Sequence, residues 1–469
     1  MKTLRNFVGG AWADPRGDEL LELVNPATEE VIARFPAGSV ADADSAVKAA
    51  VAAQPDWAAL PVAERVRQIQ AWAGVVAGHA DELAELERQE MGKPAGIGRT
   101  FIDGAVAGLK AAAEQALSYA FEETVPQPGG GSTRIVRHPL GATAVITPWN
   151  FPVTMVLGAL GPLLAAGNTV VVKPSERSPY STARLFELLS LPAGVVNLVL
   201  GDARAGAPLA AHEDVQLVHF TGSVASGRKI AAAAGERLHR SVLELGGKDP
   251  VLVDADVDPV ATAKAVAFGA FVNTGQICTS MERIYVHADV AEPFVEALVA
   301  EAAGYQAGDV LGPLVDGRQR DLVHRHVTDA VAKGATVRAG GEAPDGPGFF
   351  YPATVLTGVE DSMLIMREET FGPVAPVAVV NSFEEGVERA SRSRYGLAAT
   401  VYSNDEAHVA AAGRIPAGVL WVNQWQGGGP ERLYEPAGES GMGATGARAA
   451  YDAATRPASV HFAAGWQVS

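Results

Sequence analysis

The run Thr143-Ala144-Val145-Ile146 ends in Thr147-Pro148-Trp149-Asn150, and the same construction returns four more times within the next hundred residues. Thr169-Val170-Val171-Val172 leads into Lys173-Pro174-Ser175-Glu176, and Val195-Val196-Asn197-Leu198-Val199-Leu200 into Gly201-Asp202. Val215-Gln216-Leu217-Val218 leads into Phe220-Thr221-Gly222-Ser223, and Ser241-Val242-Leu243 into Glu244-Leu245-Gly246-Gly247. Each run is short and largely apolar, and the segment before the next is long enough for a helix. Strand and helix in strict alternation predict a parallel sheet covered by helices. Such sheets bind ligands outside the carboxyl ends of their strands. Polar residues and glycines gather at all five ends, so a nucleotide-type site is expected there.

Upstream, the chain from about Ala41 to Lys93 reads as helices, with Val66, Ile69, Trp72 and Val76 forming one apolar stripe. Between Phe121 and Arg137 comes a weakly apolar stretch around Pro126-Gln127-Pro128-Gly129-Gly130-Gly131, which reads as a hairpin leaving the domain. After Gly247 a second alternating α/β region runs to about Gly446 without an internal repeat. The tail from Ala454 ends in the strand-like Ala458-Ser459-Val460-His461-Phe462, a strand expected to pair with a neighbour. The expected fold class is α/β. Residues 1–116 and 140–246 form a nucleotide-binding domain, 247–447 a second α/β domain, and 117–139 with 448–469 a small β appendage.

A chain of 469 residues is too long for one hydrophobic core, and 48% apolar with 19% charged residues is ordinary for a globular protein. The net charge of −17, from 37 basic and 54 acidic residues, argues against a broad nucleic-acid-binding surface. Met1-Lys2-Thr3-Leu4-Arg5-Asn6-Phe7 has no apolar signal core, and no stretch reaches the roughly 18 apolar residues of a membrane span. No membrane association and a cytoplasmic location are therefore expected. The single cysteine, Cys278, excludes an internal disulfide and a multi-cysteine metal site, and no metal is expected.

Cys278 lies in Val272-Asn273-Thr274-Gly275-Gln276-Ile277-Cys278-Thr279-Ser280, where polar neighbours favour a nucleophile over an inert core thiol. Glu244 offers a carboxylate to activate water and Asn150 an amide to hold an oxyanion, which together make an acyl-transfer set. Gly222-Ser223-Val224-Ala225-Ser226-Gly227-Arg228-Lys229 nearly matches a P-loop but lacks the Gly-Lys-Ser/Thr ending. Gly222 and Ser223 still open a helix after a strand, a place that favours an anion. Beside it, Lys173 and Glu176 suit the ribose of a dinucleotide, and the Glu176 carboxylate would repel a 2′-phosphate. Two other clusters are set aside. In Asp254-Ala255-Asp256-Val257-Asp258, Pro259 replaces the glycine of a calcium loop, and His324 and His326 do not share a helix face and read as solvated.

Six motifs in register resemble those of the aldehyde dehydrogenase superfamily: Thr147-Pro148-Trp149-Asn150-Phe151-Pro152, Lys173-Pro174-Ser175-Glu176, Phe220-Thr221-Gly222-Ser223, Glu244-Leu245-Gly246-Gly247-Lys248, Gly275-Gln276-Ile277-Cys278 and Glu368-Glu369-Thr370-Phe371-Gly372-Pro373. The resemblance implies a Rossmann-like NAD-binding domain, a catalytic α/β domain and a β appendage for oligomerisation into a homodimer or homotetramer. It implies that Cys278 attacks the aldehyde, that Asn150 and the Cys278 N–H hold the oxyanion, and that Glu244 activates water to release the acid. It further implies dinucleotide contacts from Ile146, Thr147, Pro148, Trp149, Lys173, Ser175, Glu176, Gly206, Phe220, Gly222, Ser223, Leu245, Glu369 and Phe371, with NAD preferred and NADP the weaker alternative.

Met155, Gly158, Ile277, Thr279, Trp425 and Tyr434 fall where the family lines its substrate tunnel, and Gly158 replaces a bulky aromatic. The C-terminal segment departs from the family: Leu433-Tyr434-Glu435-Pro436-Ala437-Gly438-Glu439-Ser440-Gly441 stands in place of Pro-(Phe/Trp)-Gly-Gly-x-Lys-x-Ser-Gly. Glu435 there suggests a cationic aldehyde. The rival functions are a coenzyme A-acylating semialdehyde dehydrogenase, which the carboxylate of Glu244 disfavours, a phosphotransferase using the near-P-loop, and a non-catalytic binding protein.

Overall fold

The computed structural model describes residues 2–14, 16–17, 19–428 and 432–466. The five apolar runs become neighbouring parallel strands in the spatial order Arg240–Glu244, Val215–Thr221, Ala142–Ile146, Thr169–Lys173, Val196–Leu198. Every residue of Ala142–Ile146 and Thr169–Lys173 is buried, as in a sheet covered on both faces. The chain builds outward from Ala142–Ile146 on one side, then returns to lay Val215–Thr221 on the other. That reversal opens a crevice at the carboxyl edge between the two strands. Antiparallel strands extend the sheet, Asn6–Val8 and Ala11–Ala13 at one side and Gly441–Met442 at the other.

A second sheet takes seven strands between Asp249 and Val422, parallel except for the pairing of Thr336–Ala339 with Thr354–Thr357. Its central strands, Asp249–Val253 and Met281–His287, are buried almost throughout. The two sheets are joined directly, because Arg240–Glu244 of the first is followed within five residues by Asp249–Val253 of the second.

The helical region resolves into Val40–Ala59, Val62–Ala77 and Ala80–Met91, followed by Ala95–Gln115. Val66, Ile69, Trp72 and Val76 all face the core of the first sheet. Glu122–Pro126 and Ser132–Pro139 form the expected hairpin around three left-handed glycines, where a Cβ on Gly131 would lie 2.4 Å from the Phe462 carbonyl. The C-terminal strand, Thr455–Phe462, corrects one expectation. It pairs along its whole length with Ser132–Pro139 of its own chain, because the hairpin leaves that edge open beside it. Residues 447–454 are a helix whose Tyr451 and Ala454 pack into the first core, so the appendage resumes only at Thr455.

A buried ion pair sets the entry to the Pro152–Ala165 helix, which has no side-chain cap of its own. Glu87 accepts from Lys93 Nζ at 2.7 Å and from the Val153 N–H at 3.3 Å, and Lys93 lies 4.1 Å from the centre of the Phe151 ring. Both charged side chains are fully buried. Glu87→Ala would leave the lysine charge unpaired, at a cost of about 3–5 kcal/mol. Thermal unfolding should show that loss, while Glu82→Ala, which removes an exposed partner of Arg184, should cost no more than about 1 kcal/mol.

Candidate active site

The helix Pro259–Phe271 ends in a segment that bends against backbone preference. Asn273, Thr274 and Gly275 adopt φ of 52°, 59° and 67° in succession. The left-handed conformation is costly for a β-branched threonine, roughly 1–2 kcal/mol. Side chains hold the bend: Thr274 Oγ1 donates to the Gly312 carbonyl at 3.0 Å, and Gln276 Nε2 to the Asn273 carbonyl at 3.2 Å. Gln276 Oε1 accepts from the Val315 N–H at 2.9 Å. Gly275 is obligatory, since a Cβ there would lie 2.1 Å from the Gly372 carbonyl. Strain of this kind, stabilised from several sides, is typical of functional segments. It delivers Cys278 half-buried, with a backbone N–H that has no hydrogen-bond partner among the described residues.

Asn150 is buried, and one amide hydrogen donates to the Gln276 carbonyl at 2.9 Å, which ties it to the cysteine loop and leaves the other free. Glu244 ends the first sheet's Arg240–Glu244 strand, and its Oε1 lies 3.1 Å from Thr445 Oγ1. Burial pushes the Glu244 carboxyl up to about 8, while Thr445 and Arg432 pull it down. Burial also raises the Cys278 thiol, and the nearby carboxyls of Asp249, Glu244 and Glu369 raise it further. The thiol is therefore protonated at rest. Tyr434 belongs to the same group: its phenol is raised by burial and then by Cys278 and Glu244, and it has no hydrogen-bond partner among the described residues.

Around the cysteine, Phe151, Val272 and Ile277 form a small apolar cluster with Met155 and Trp425 packed on it. Trp425 Nε1 donates to the Thr279 carbonyl at 3.0 Å. A Cβ built on Gly158 meets nothing within 4 Å, so the wall is open at that point. Glu435 is exposed and does not join this group.

The remaining sequence candidates line the crevice. Ser223 caps the Val224–Glu236 helix, accepting from the Ser226 N–H at 3.3 Å, and the N–H groups of Val224 and Ala225 are left unpaired. Leu245 lies against Gly227 of that helix, and Phe220 lies beneath Gly222. Lys173 is buried, with Nζ donating to the Pro174 and Gly201 carbonyls at 2.7 Å each, and burial lowers its pKa. A Cβ on Gly206 would press on the Lys173 stem at 3.3 Å. Ile146 and Thr147 are buried at the end of their strand, with Pro148 half-exposed beside them. The Thr147 hydroxyl has no protein partner. Ser175 Oγ accepts from the Arg177 N–H at 3.2 Å, and the Glu176 carboxylate beside it makes no hydrogen bond among the described residues. Trp149 and Phe371 meet edge to face at 5.3 Å. Glu369 Oε1 accepts from the Gly247 N–H at 3.0 Å, and burial pushes that carboxyl up to about 8.

Comparison with known proteins agrees with this geometry. The model of the "Aldehyde dehydrogenase family" matches residues 12–460. This chain belongs to the aldehyde dehydrogenase family. Lactaldehyde dehydrogenase of Escherichia coli (strain K12) is 36% identical over 410 residues, covering 85% of this chain and 86% of that protein. The crystal structure of the E. coli enzyme superposes with a TM-score of 0.95 at 33% identity, covering 98% and 99% of the two chains. The NAD+ complex of an aldehyde dehydrogenase from Bacillus cereus gives a TM-score of 0.94 at 34% identity, with 98% and 96% covered. A 3,6-anhydro-L-galactose dehydrogenase solved with NADP gives 0.95 at 31% identity, with 98% and 100% covered. The chain is accordingly an oxidoreductase that oxidises aldehydes to acids with NAD or NADP.

Four residues of this aldehyde dehydrogenase site escaped the sequence reading. Thr445 is an ordinary loop threonine with no local signal. Lys248 and Asp249 follow the Gly246-Gly247 pair, and Glu282 interrupts an otherwise apolar strand; charges at buried strand positions were the usable clue. His326 is a correction: it is buried rather than solvated, with Nδ1 3.1 Å from Thr370 Oγ1, and burial lowers its pKa to about 4. Helical periodicity places it on the inner face with Val323, Val327 and Ala330. The strain argument is tested at Gly275. Gly275→Ala should destabilise the protein by about 3 kcal/mol or more and abolish turnover, whereas Gly308→Ala, at an open left-handed position, should cost only about 1 kcal/mol.

Proposed function

We propose that this enzyme is a hydrolytic, NAD-preferring dehydrogenase of a small aldehyde, with Cys278 as nucleophile, Asn150 and the Cys278 N–H as oxyanion donors, and Glu244 as the base for water. The observation that carries the reading is the meeting of an unpaired N–H, a half-engaged amide and a raised carboxyl around one thiol. Glu244 takes the thiol proton as sulfur adds to the carbonyl carbon, and the two N–H donors receive the negative oxygen. Each such donor contributes about 10²–10³ in rate. A bound nicotinamide dinucleotide supplies the hydride acceptor that converts the adduct on Cys278 into a thioester. Glu244 then removes a proton from water, hydroxide adds to the thioester carbonyl, and the C–S bond breaks with its electron pair returning to sulfur.

The residues present fit a dinucleotide. The N–H groups opening the Val224–Glu236 helix suit its pyrophosphate, the gap over Gly206 its adenine, and the free Glu176 carboxylate its adenosine ribose hydroxyls. A 2′-phosphate would meet the charge of Glu176, which favours NAD over NADP. The division of labour follows the sequence: residues 1–116 and 140–246 hold the cofactor, 247–447 carry the nucleophile, and 117–139 with 448–469 assemble a homodimer or homotetramer through the sheet edge at Thr455–Phe462. No helix among the described residues is long and apolar enough to cross a membrane, which suits a cytoplasmic enzyme.

Cys278→Ala should abolish turnover while NAD binding, followed by protein fluorescence, stays within about twofold; residual turnover would remove the mechanism. Glu244→Gln should release one equivalent of NADH and then stall. Because the base acts only when ionised, deacylation should rise with pH through about 8 and fade below it. A flat single-turnover deacylation profile between pH 6 and 9 would exclude Glu244 as the titrating group. Glu176→Ala should narrow the NAD over NADP preference in kcat/KM by about tenfold or more.

A further inference from the structure

Adjoining Glu244, on the same face of the sheet, is a cavity of about 50 Å³. In the register of the two edge strands His219 lies opposite Val242 and Thr221 opposite Glu244, and alternate residues share a face. Val242, His219 and Leu217 therefore lie on the same face as Glu244, and they line the cavity together with Ala159, Thr445 and Ala450. Its walls are mainly methyl and methylene groups, with two polar side chains, Thr445 and His219.

The Thr445 hydroxyl lies against the Glu244 carboxyl at 3.1 Å. It is held there by two backbone hydrogen bonds between Thr445 and Tyr434, of 2.7 and 3.0 Å. His219 is half-buried and its ring nitrogens have no side-chain partner among the described residues. Burial keeps the ring neutral, so it can accept a proton and pass it on. At about 10–15 Å³ for each water centre, the space admits a file of several waters between the two side chains.

Deacylation leaves Glu244 carrying the proton it took from water, and the carboxyl must lose that proton before it can act again. We propose that this cavity is the exit for that proton, running from Glu244 through the Thr445 hydroxyl and confined water to the His219 imidazole. The exit rests on Glu244 being the base. Thr445 and His219 touch neither aldehyde nor cofactor and are relay and positioning residues. The apolar walls keep other proton acceptors out and leave the water file a single course.

Three substitutions in the full-length enzyme saturated with NAD test this. Thr445→Val keeps the side-chain shape without the hydroxyl, Ala159→Leu fills the chamber, and His219→Ala removes the far acceptor. Each should leave the first NADH equivalent as fast as in the wild type and slow steady-state turnover by about tenfold or more. Thr445→Ser should retain most of the rate. Added imidazole should restore His219→Ala in proportion to its concentration and leave the wild type unchanged, a response that a purely structural role would not give. Unchanged steady-state rates in Thr445→Val and His219→Ala would overturn the exit even if Ala159→Leu fails to fold. A raised KM for long apolar aldehydes at unchanged kcat would overturn it too, by assigning the chamber to the substrate tail. Turnover persisting in Glu244→Gln would instead remove the base assignment, whereas a stalled Glu244→Gln beside normal relay variants sinks the exit alone.

Discussion

The buried pair Lys248–Glu282 fixes where nucleophile and base stand relative to one another. Lys248 Nζ donates to Glu282 at 2.6 Å, and both side chains are almost wholly out of water. Removing two charges from water costs several kcal/mol each, so the pair persists only because its other hydrogen-bonding capacity is met. Glu282 also accepts from the N–H groups of Thr370 and Phe371, at 2.8 and 2.7 Å, and Lys248 donates to Thr370 Oγ1 at 3.0 Å. Three segments thereby meet at one point. Lys248 stands one helical turn's worth of sequence beyond Glu244, Glu282 the same distance beyond Cys278, and Thr370 and Phe371 follow Glu369. A shift in any of them would strand a buried charge, so the base, the nucleophile and the Glu369 loop are held in common register.

That pairing also explains which half of the site sequence alone could place. The five strand ends were legible because apolar runs, helices and polar termini alternate without ambiguity, and the structure has those strands in a parallel sheet with its crevice at the expected edge. Cys278 obeys a different geometry. It lies at the amino end of Met281–His287 in the second sheet, where no carboxyl-edge rule points, and only its polar neighbours and the family motif distinguished it. The partner of the C-terminal strand was illegible for a similar reason. Strand propensity reports an unfilled edge, but the edge that fills it belongs to a hairpin more than three hundred residues earlier in the chain. Thr445 and His326 show the same limit, since their surroundings come from segments distant in sequence.

The electrostatics of the site follow from crowding acids around one thiol. Asp249 sits beside Cys278 with one carboxyl oxygen accepting from the Ala398 N–H at 3.1 Å and the other buried without a partner. Burial raises its pKa strongly, so it carries a proton. Glu244 and Glu369 are raised as well, and the four groups titrate as a set rather than singly. A thiol in such a field holds its proton until a base takes it. The resting enzyme is thereby protected from adventitious oxidation, which requires thiolate, while the cost is a nucleophile that depends on Glu244 for activation.

The divergent C-terminal segment keeps what the geometry requires and changes the rest. Ala437–Gly438 pairs with Tyr395–Gly396, and Gly441–Met442 pairs with Leu243 and Glu244, so the segment runs from beside the second sheet into the first. Between those pairings the Ser440 hydroxyl donates to the Gly246 carbonyl at 2.7 Å and accepts from the Gly396 N–H at 3.0 Å. A Cβ on Gly441 would lie 1.9 Å from the Leu243 carbonyl, so glycine alone fits beside the base strand. Ser440 and Gly441 therefore match the family because they hold Glu244 in place. Glu439 is free to differ, and here it binds Arg228 at 2.6 Å and Arg394 at 3.2 Å. The arginine that made residues 222–229 look like a phosphate loop is occupied by a carboxylate from this segment, and Arg394, which also binds Glu368 next to Glu369, is drawn into the same contact. The change of sequence thus ties the cofactor helix to the Glu369 loop through charge, in a place where exposed ion pairs do little for stability but fix relative position.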